Sequence, residues 1–251
     1  MEELIIIKLG EIILKGNNRS QFEDRLMNNI RLSVGKVGSY KIWKSQGTMY
    51  VQPKNSESQI APAIEKIRRV FGITKISPAY TAEKDMDKIY EKISEKLSGS
   101  LTSAKTFKVE AKRADKKFPL QSPEICREAG GYILNKFPHL NVDVINPEIT
   151  VSIDVRDEYA FIYCEKIDGA GGIPTGTGGN ATLLLSGGID SPVAGWLMAK
   201  RGIKLNAVNF FSYPYTSQRA KEKVLALTEI LESYAGHIPL HIVPFTEIQM
   251  Q

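Results

Sequence analysis

The sequence predicts a multidomain chain, α+β over its first two-thirds and α/β over its last third. Three observations carry that prediction. Residues 4–80 read β-α-β-β-α-β, a glycine-rich break falls at 169–179, and beyond it short continuous apolar runs alternate with amphipathic helices, as in a parallel sheet. The 251 residues suffice for two or three such units, and 42% apolar with 24% charged residues excludes a disordered or fibrous chain. No apolar run approaches the ~18 residues needed to span a bilayer. Met1-Glu2-Glu3 is acidic where a signal peptide is basic, and two cysteines make no disulfide framework. A chain of the reducing cytoplasm, without a membrane partner, is expected.

The first domain is assigned to residues 1–75. Residues 4–9 form a short apolar strand, and Phe22, Leu26 and Ile30 share one helix face. Residues 40–44 and 48–52 flank Ser45-Gln46-Gly47 as a hairpin. Ile60, Ile64, Ile67 and Phe71 give a second helix ending at Gly72, before a strand over 73–80. That order is the ferredoxin-like split βαβ, with helices on one face of an antiparallel sheet.

The second domain, 76–166, opens with a helix over 85–97 whose Met86, Ile89, Ile93 and Leu97 share a face. A strand covers 107–111. Ser122 and Pro123 start a helix with Glu124 in its first turn, a good capping arrangement. Residues 149–155 and 159–165 form a hairpin about Arg156-Asp157-Glu158. Residues 167–179 are expected to be a flexible linker, because a stretch with so many glycines holds neither helix nor central strand.

The third unit, 180–251, starts with a strand over 181–185, expected to be buried on both faces. A helix over 191–200, a strand over 205–211, a helix over 216–234 with Val224, Leu227, Ile230 and Leu231 inward, and a strand over 240–245 follow. This is half of a doubly wound sheet, and its three strands are expected to expose an apolar edge or face.

Charge is uneven. Residues 1–75 carry a net +6, residues 76–173 a net −2 and residues 174–251 a net +1, and Lys112, Arg113, Lys116 and Lys117 cluster in the middle. Two basic footprints on one polyanion fit this distribution, and so does a solvated surface.

The chemistry concentrates after the first buried strand, in Leu183-Leu184-Leu185-Ser186-Gly187-Gly188-Ile189-Asp190-Ser191-Pro192. Gly187 and Gly188 admit positive φ and close backbone approach to a ligand. Free amides and the positive helix end favour an anion, and Ser186 and Ser191 add hydroxyls. Pro192 costs no hydrogen bond in a first turn. A phosphate at the carboxyl edge of a parallel strand satisfies all of these. The turn is not an ordinary P-loop, because no Gly-Lys-Ser/Thr ends it. Asp190 alone would repel a phosphate, so a bridging Mg²⁺ is the natural reconciliation. The plainer reading is a glycine-rich turn with Asp190 as an N-cap. His139, His237 and His241 have no metal-ligand spacing. Cys126 and Cys164 fall on apolar faces and read as packed, inert thiols.

Ser186-Gly187-Gly188-Ile189-Asp190-Ser191 resembles the SGGxDS signature of PP-loop ATP pyrophosphatases, which cleave ATP between the α- and β-phosphates and adenylate a carbonyl-type oxygen. Lys8-Leu9-Gly10-Glu11 and Lys15-Gly16-Asn17-Asn18-Arg19 resemble the opening of tRNA 4-thiouridine synthetases. The stretch from Lys105-Thr106-Phe107 through Phe118-Pro119 to Cys164 resembles a THUMP RNA-binding domain. Gly169-Ala170-Gly171-Gly172-Ile173-Pro174 and Tyr215-Thr216-Ser217-Gln218-Arg219-Ala220-Lys221 resemble the same family. Over essentially the whole chain the resemblance is to tRNA sulfurtransferases, the family of the thiamine-biosynthesis protein ThiI. It implies a ferredoxin-like domain, a THUMP domain and a partial doubly wound PP-loop domain.

The resemblance also implies a reaction. ATP, with Mg²⁺, adenylates O4 of the uridine at position 8 of tRNA. Sulfur from a persulfide, supplied by a cysteine desulfurase, then displaces AMP. Carried over by position, Ser186, Gly187, Gly188, Asp190 and Ser191 form the pyrophosphate loop, with Asp190 catalytic. Leu184 and Leu185 would line the nucleotide, and Asn209 and Phe210 would contact adenine, Phe210 reading equally well as a core residue. Lys15 and Arg19, and Lys112, Arg113, Lys116 and Lys117 on the loop before the helix at Ser122, would contact the acceptor end and uridine 8 region of tRNA. The family allows a homodimer. Its members continue past residue 251, so the sulfur-carrying cysteine is expected outside this chain. The chain alone is expected to bind tRNA with little or no thiolation. A non-catalytic tRNA-binding module with an incomplete ATP domain is the alternative.

Overall fold

The computed structural model describes residues 3–250. They form two compact units, one of residues 7–76 together with those from 168 on, the other of the residues up to Ile6 together with 77–167. Among the described residues no helix is long and apolar enough to cross a membrane.

β1 (Glu3–Leu9) leads through two 3₁₀ turns, Glu11–Leu14 and Gly16–Asn18, into α1 (Arg19–Val34). β2 (Tyr40–Ser45), β3 (Thr48–Pro53), α2 (Ile60–Ile67) and β4 (Ile73–Ala82) follow. The strand order β2-β3-β1-β4 is the expected ferredoxin-like arrangement. α1 buries Leu26, Ile30 and Val34, and α2 buries Ala63, Ile64 and Ile67. The β2–β3 hairpin turns on Gln46 and Gly47, at φ 47° and 75°. Two positive-φ residues give the turn the twist its strands need. α2 stops at Ile67 rather than reaching Gly72, because Phe71 leaves its face for another core.

Next come α3 (Met86–Lys96), α4 (Ser98–Ser103), β5 (Thr106–Arg113), α5 (Ser122–Lys136), the two-residue β6 (Asn141–Val142), β7 (Ile149–Val155), β8 (Ala160–Tyr163) and β9 (Ile167–Asp168). Asp85 caps α3, its Oδ1 accepting from the Asp87 and Lys88 amides at 2.9 and 3.3 Å. The strand order is β4-β8-β7-β5-β6. β5 runs parallel to β7 from Phe107 opposite Ile149 to Arg113 opposite Val155, and β7 and β8 are antiparallel. Ile89 and Ile93 of α3 and Ile125, Ala129 and Ile133 of α5 form one core with Phe107, Val151, Ile153 and Val155 of the sheet. The cap of α5 is Gln121, one residue before the expected start, with Glu124 accepting from its amide at 2.6 Å.

β10 (Asn180–Leu184), α6 (Asp190–Lys200), β11 (Lys204–Phe211), α7 (Gln218–Ala235), β12 (Leu240–Pro244) and α8 (Thr246–Met250) complete the chain. The three strands are parallel, in the order β10-β11-β12. Two expectations are corrected. β10 is not buried on both faces: Ala181 and Leu183 pack against the core while Leu184 is 64% exposed. On α7, Val224, Thr228 and Leu231 are buried, but Ile230 is 60% exposed. Leu184 alternates with the core-facing Leu183 and so lies on the opposite sheet face, as expected of a three-stranded parallel sheet that leaves a face open, while Ile230 lies on the outer side of α7.

The glycine-rich stretch is a hydrogen-bonded strap rather than a flexible linker. The Gly169 and Gly171 amides donate to the Thr74 and Ile73 carbonyls at 3.0 and 2.8 Å, and the Gly72 amide donates back to Gly171 at 2.8 Å. Ile173 donates to the Lys200 carbonyl at 2.9 Å, and the amides of Gly176, Thr177 and Gly178 all reach the carbonyl of Gly202. Its glycines serve close approach: a Cβ on Gly169 would overlap the Ile73 carbonyl, and one on Gly172 the Lys200 carbonyl. Alongside, Phe71 enters the core of Leu185, Leu205, Val224 and Leu231. It lies edge-on to Trp196 (5.4 Å between ring centres) and stacked on Tyr234 (5.9 Å).

Candidate functional site

The loop between β10 and α6 is held by its own serines. Leu185 continues the β10 pattern, its amide donating to Val208 at 2.8 Å. The Ser186 amide then donates to Ser191 Oγ at 3.0 Å, and the two hydroxyls lie 3.1 Å apart. Ser191 Oγ also donates to the Ser186 carbonyl at 3.3 Å, and the Gly188 amide reaches Ser186 Oγ at 3.3 Å. Asn209, from β11, fastens the loop from below, its side-chain amide donating to the Leu185 carbonyl at 2.8 Å. The turn thus closes on itself and is tied to the neighbouring strand.

The glycines act differently from expectation. Neither Gly187 nor Gly188 has a positive φ. What they supply is space: a Cβ at Gly188 would meet only Ser186 Oγ, at 3.5 Å, and one at Gly187 only Lys223 Cδ, at 3.6 Å. The backbone above the loop therefore lies open to a ligand, at the amino end of α6, where the helix field favours an anion. Lys223, on α7, brings a cation beside a turn that lacks a lysine of its own. Sequence reading missed it, because it lies 36 residues beyond Gly187 and only the packing of α7 beside α6 brings it close.

Asp190 is the first residue of α6 and not its cap, which is Ile189, without a capping side chain. The Asp190 carboxylate is exposed and makes no hydrogen bond or ion pair among the described residues. No cluster of three His, Cys, Asp or Glu side chains occurs among those residues, so the protein alone builds no metal cage. One free carboxylate beside an open turn at a helix amino end does suit Mg²⁺, which is bound through one or two carboxylates plus substrate phosphates. Leu184 presents its side chain to solvent, but Leu185 is 2% exposed and can offer a ligand only backbone. Phe210 is 49% exposed, with its ring edge-on to Phe245 at 5.2 Å, and is not a core residue. Burial pushes the Cys126 and Cys164 thiols up from their ordinary value, as expected of packed cysteines.

The basic residues fall in both units. In the one holding residues 7–76, the Lys15 ammonium sits 5.0 Å from the Phe22 ring centre. Arg19 pairs with Glu23 at 2.7 Å. In the other, β5 extends through Arg113, so Lys112 and Arg113 are strand residues and only Lys116 and Lys117 lie on the loop. The longer strand follows from register, since β5 stays paired to β7 until Val155. Arg113 supports that loop, donating from Nη1 to the Phe118 carbonyl at 3.2 Å and from its amide to Ser122 Oγ at 3.2 Å. Lys112, Lys116 and Lys117 are exposed. Asp115 lies buried between them, accepting from Lys84 Nζ at 2.6 Å and from the Lys117 amide at 2.8 Å. The Lys84 hydrogen bond, then that of the Lys117 amide, holds its carboxyl below the usual aspartate range.

Comparison with known proteins matches three consecutive stretches. Residues 4–77 match the ThiI ferredoxin-like domain, 83–165 the THUMP domain, and 176–251 the thiamine biosynthesis protein ThiI. A probable tRNA sulfurtransferase of Acetivibrio thermocellus is 50% identical across the whole chain, and one of Alkaliphilus metalliredigens is 48% identical. The chain spans 64% of the length of each of these curated relatives. The crystal structure of a 4-thiouridine synthetase–RNA complex with bound ATP superposes with a TM-score of 0.89 at 36% identity, over all of this chain and 64% of that one. A crystal structure from Pyrococcus horikoshii gives a TM-score of 0.82 at 34% identity, covering 99% of this chain and 80% of the other. With its three segments matched in one order and its fold shared throughout, the chain belongs to the ThiI family.

Proposed function

We propose that the chain serves ATP-dependent sulfur transfer to tRNA, with residues 1–75 and 76–166 engaging the RNA and 180–251 engaging ATP. The observation that carries this reading is the Ser186–Ser191 loop, a self-braced turn with open backbone at a helix amino end and an unpartnered carboxylate beside it. Relatives aligned with the whole of this chain are named probable tRNA sulfurtransferases, and the structure of one solved neighbour is described as holding RNA and ATP.

On this reading the β- and γ-phosphates lie against the loop, where Ser186, Gly187, Gly188 and Ser191 supply amides and hydroxyls and Lys223 supplies positive charge. Asp190 would hold Mg²⁺ here, and the ion would supply positive charge that offsets the leaving pyrophosphate. The adenosine extends past Leu184 and the backbone of Leu185 towards Asn209 and Phe210. O4 of uridine 8 attacks the α-phosphorus and pyrophosphate leaves. Persulfide sulfur, loaded by a cysteine desulfurase, then attacks C4 and expels AMP, and a second thiol attacks the remaining S–S bond, releasing 4-thiouridine and leaving a disulfide. Lys15, Arg19, Lys112, Arg113, Lys116 and Lys117 hold the RNA, Arg19 while paired to Glu23 within α1 and Arg113 while bracing the loop after β5.

The test separates the two roles. In the enzyme, Asp190→Ala is expected to abolish tRNA-dependent release of AMP from ATP and to leave the tRNA dissociation constant within about twofold. A variant that keeps AMP release, or one that loses tRNA binding instead, would contradict the role given to Asp190.

A further inference from the structure

A cleft of about 450 Å³ opens in the unit that contains residues 7–76 and the chain from 168 on. Arg68 and Arg69, in the turn after α2, line one side. Asp168 at the start of the strap, Trp196 of α6 and Tyr234 of α7 line the rest. None of the residues assigned above to ATP or tRNA lies in it. Its volume is in the range of small-molecule sites, about 300–1,000 Å³.

Its charges are unequally committed. Glu65, at the rim, pairs with Arg68 at 3.2 Å, and Asp168 pairs with Lys75 at 2.5 Å. Both pairs are exposed and therefore weak. Arg69 has no carboxylate partner among the described residues; its guanidinium carbon lies 6.0 Å from the Tyr234 ring centre. A ring face orients a guanidinium but cannot satisfy its five N–H donors, which suit a phosphate. Lys200, which does not line the cleft, holds its ammonium 4.7 Å from the Trp196 ring centre. A guanidinium without a carboxylate partner beside two aromatic side chains, in a recess one nucleotide in size, matches an unstacked nucleotide and not a duplex, whose bases cannot leave the stack to enter.

We propose that this cleft takes one unpaired nucleotide of an RNA, its phosphate on Arg69 and Arg68 and its base against Trp196 and Tyr234. The assignment rests on the tRNA reading above and adds a contact to it. The strap and Phe71 fix the walls, since Phe71 touches both Trp196 and Tyr234 from within the core.

The chain has two tryptophans, Trp43 and Trp196, so Trp43→Phe leaves Trp196 as sole reporter. The full chain with that change is titrated with an unstructured oligouridylate, duplex RNA of equal length, AMP and inorganic phosphate, following tryptophan fluorescence. The oligouridylate is expected to quench saturably. Arg69→Ala should raise its dissociation constant about tenfold, as expected when one charge-assisted phosphate hydrogen bond is removed. An unchanged near-UV spectrum establishes that the variant is folded, and Arg69→Lys should recover part of the loss. Equal quenching by duplex would overturn the proposal, and so would AMP or phosphate binding as tightly as the oligonucleotide. If tRNA binds the chain while Arg69→Ala changes neither quenching nor affinity, the cleft assignment alone falls. If tRNA does not bind at all, the tRNA reading falls with it.

Discussion

Ser191 holds the loop in two directions, accepting from the Ser186 amide and donating to the Ser186 carbonyl. Because the loop is exposed, Ser191→Ala should cost no more than about 1 kcal/mol of stability. It should nevertheless weaken ATP binding at least several-fold, read by calorimetry against urea unfolding of the same variant; equal losses in both would make Ser191 merely structural. Asp115 gives a pH-dependent counterpart. Its carboxyl titrates below the ordinary value, so its contribution to stability is complete above that value and is lost as pH falls through the lowered one. Lys84→Met should move its titration upward towards the usual range in an NMR titration and loosen the 115–118 turn. At this scale the sequence was informative about residue type and less so about conformation. Ser-Gly-Gly with Asp-Ser pointed to an anion loop, but the glycines turned out to supply space rather than positive φ. Lys223 carried no local signal.

Elements were legible where their periodicity was self-sufficient. α1, α3, the β2–β3 hairpin and the β-α-β-α-β run after residue 180 follow from apolar spacing and turn residues. Periodicity failed where a distant contact outweighed it. Phe71 continues the apolar face of α2 in the sequence, yet packs with Trp196 and Tyr234, and α2 ends at Ile67. β5 outlasts its expected end because β7 continues to pair with it. The strap looked flexible because glycine content alone cannot distinguish freedom from close approach. Substitution makes the distinction. Gly172→Ala places a Cβ on the Lys200 carbonyl at φ 75° and should destabilise by about 2 kcal/mol or more. Gly131→Ala, on α5 with nothing near its Cβ position, should stabilise by about 0.5–1 kcal/mol. Urea unfolding of both variants decides, and a neutral Gly172→Ala would restore the flexible linker. Phe71→Ala, which empties a fully buried site, should cost about 3–5 kcal/mol.

For the whole molecule, charge and fold were legible to different depths. The order of three segments was accessible because each has its own strand–helix rhythm. The two-unit division, which groups residues 7–76 with those from 168 on, had no signal in composition, because it depends on strap and core packing between residues about a hundred positions apart. The +6 of residues 1–75 and the exposed lysines on and beside the 114–121 loop call for tRNA affinity that falls steeply with salt. Replacing Lys112, Lys116 and Lys117 by glutamine should flatten the log–log salt dependence by about one unit for each phosphate no longer neutralised, read by filter binding at several salt concentrations. An unchanged slope would make these lysines solvated surface. The central claim, that the Ser186–Ser191 loop with Asp190 drives sulfur transfer to tRNA, is tested most directly in the cell. The measurement is the 4-thiouridine content of bulk tRNA after Asp190→Ala is introduced at the chromosomal gene. The account predicts loss of 4-thiouridine at an unchanged level of the protein, and wild-type 4-thiouridine in that strain would contradict it.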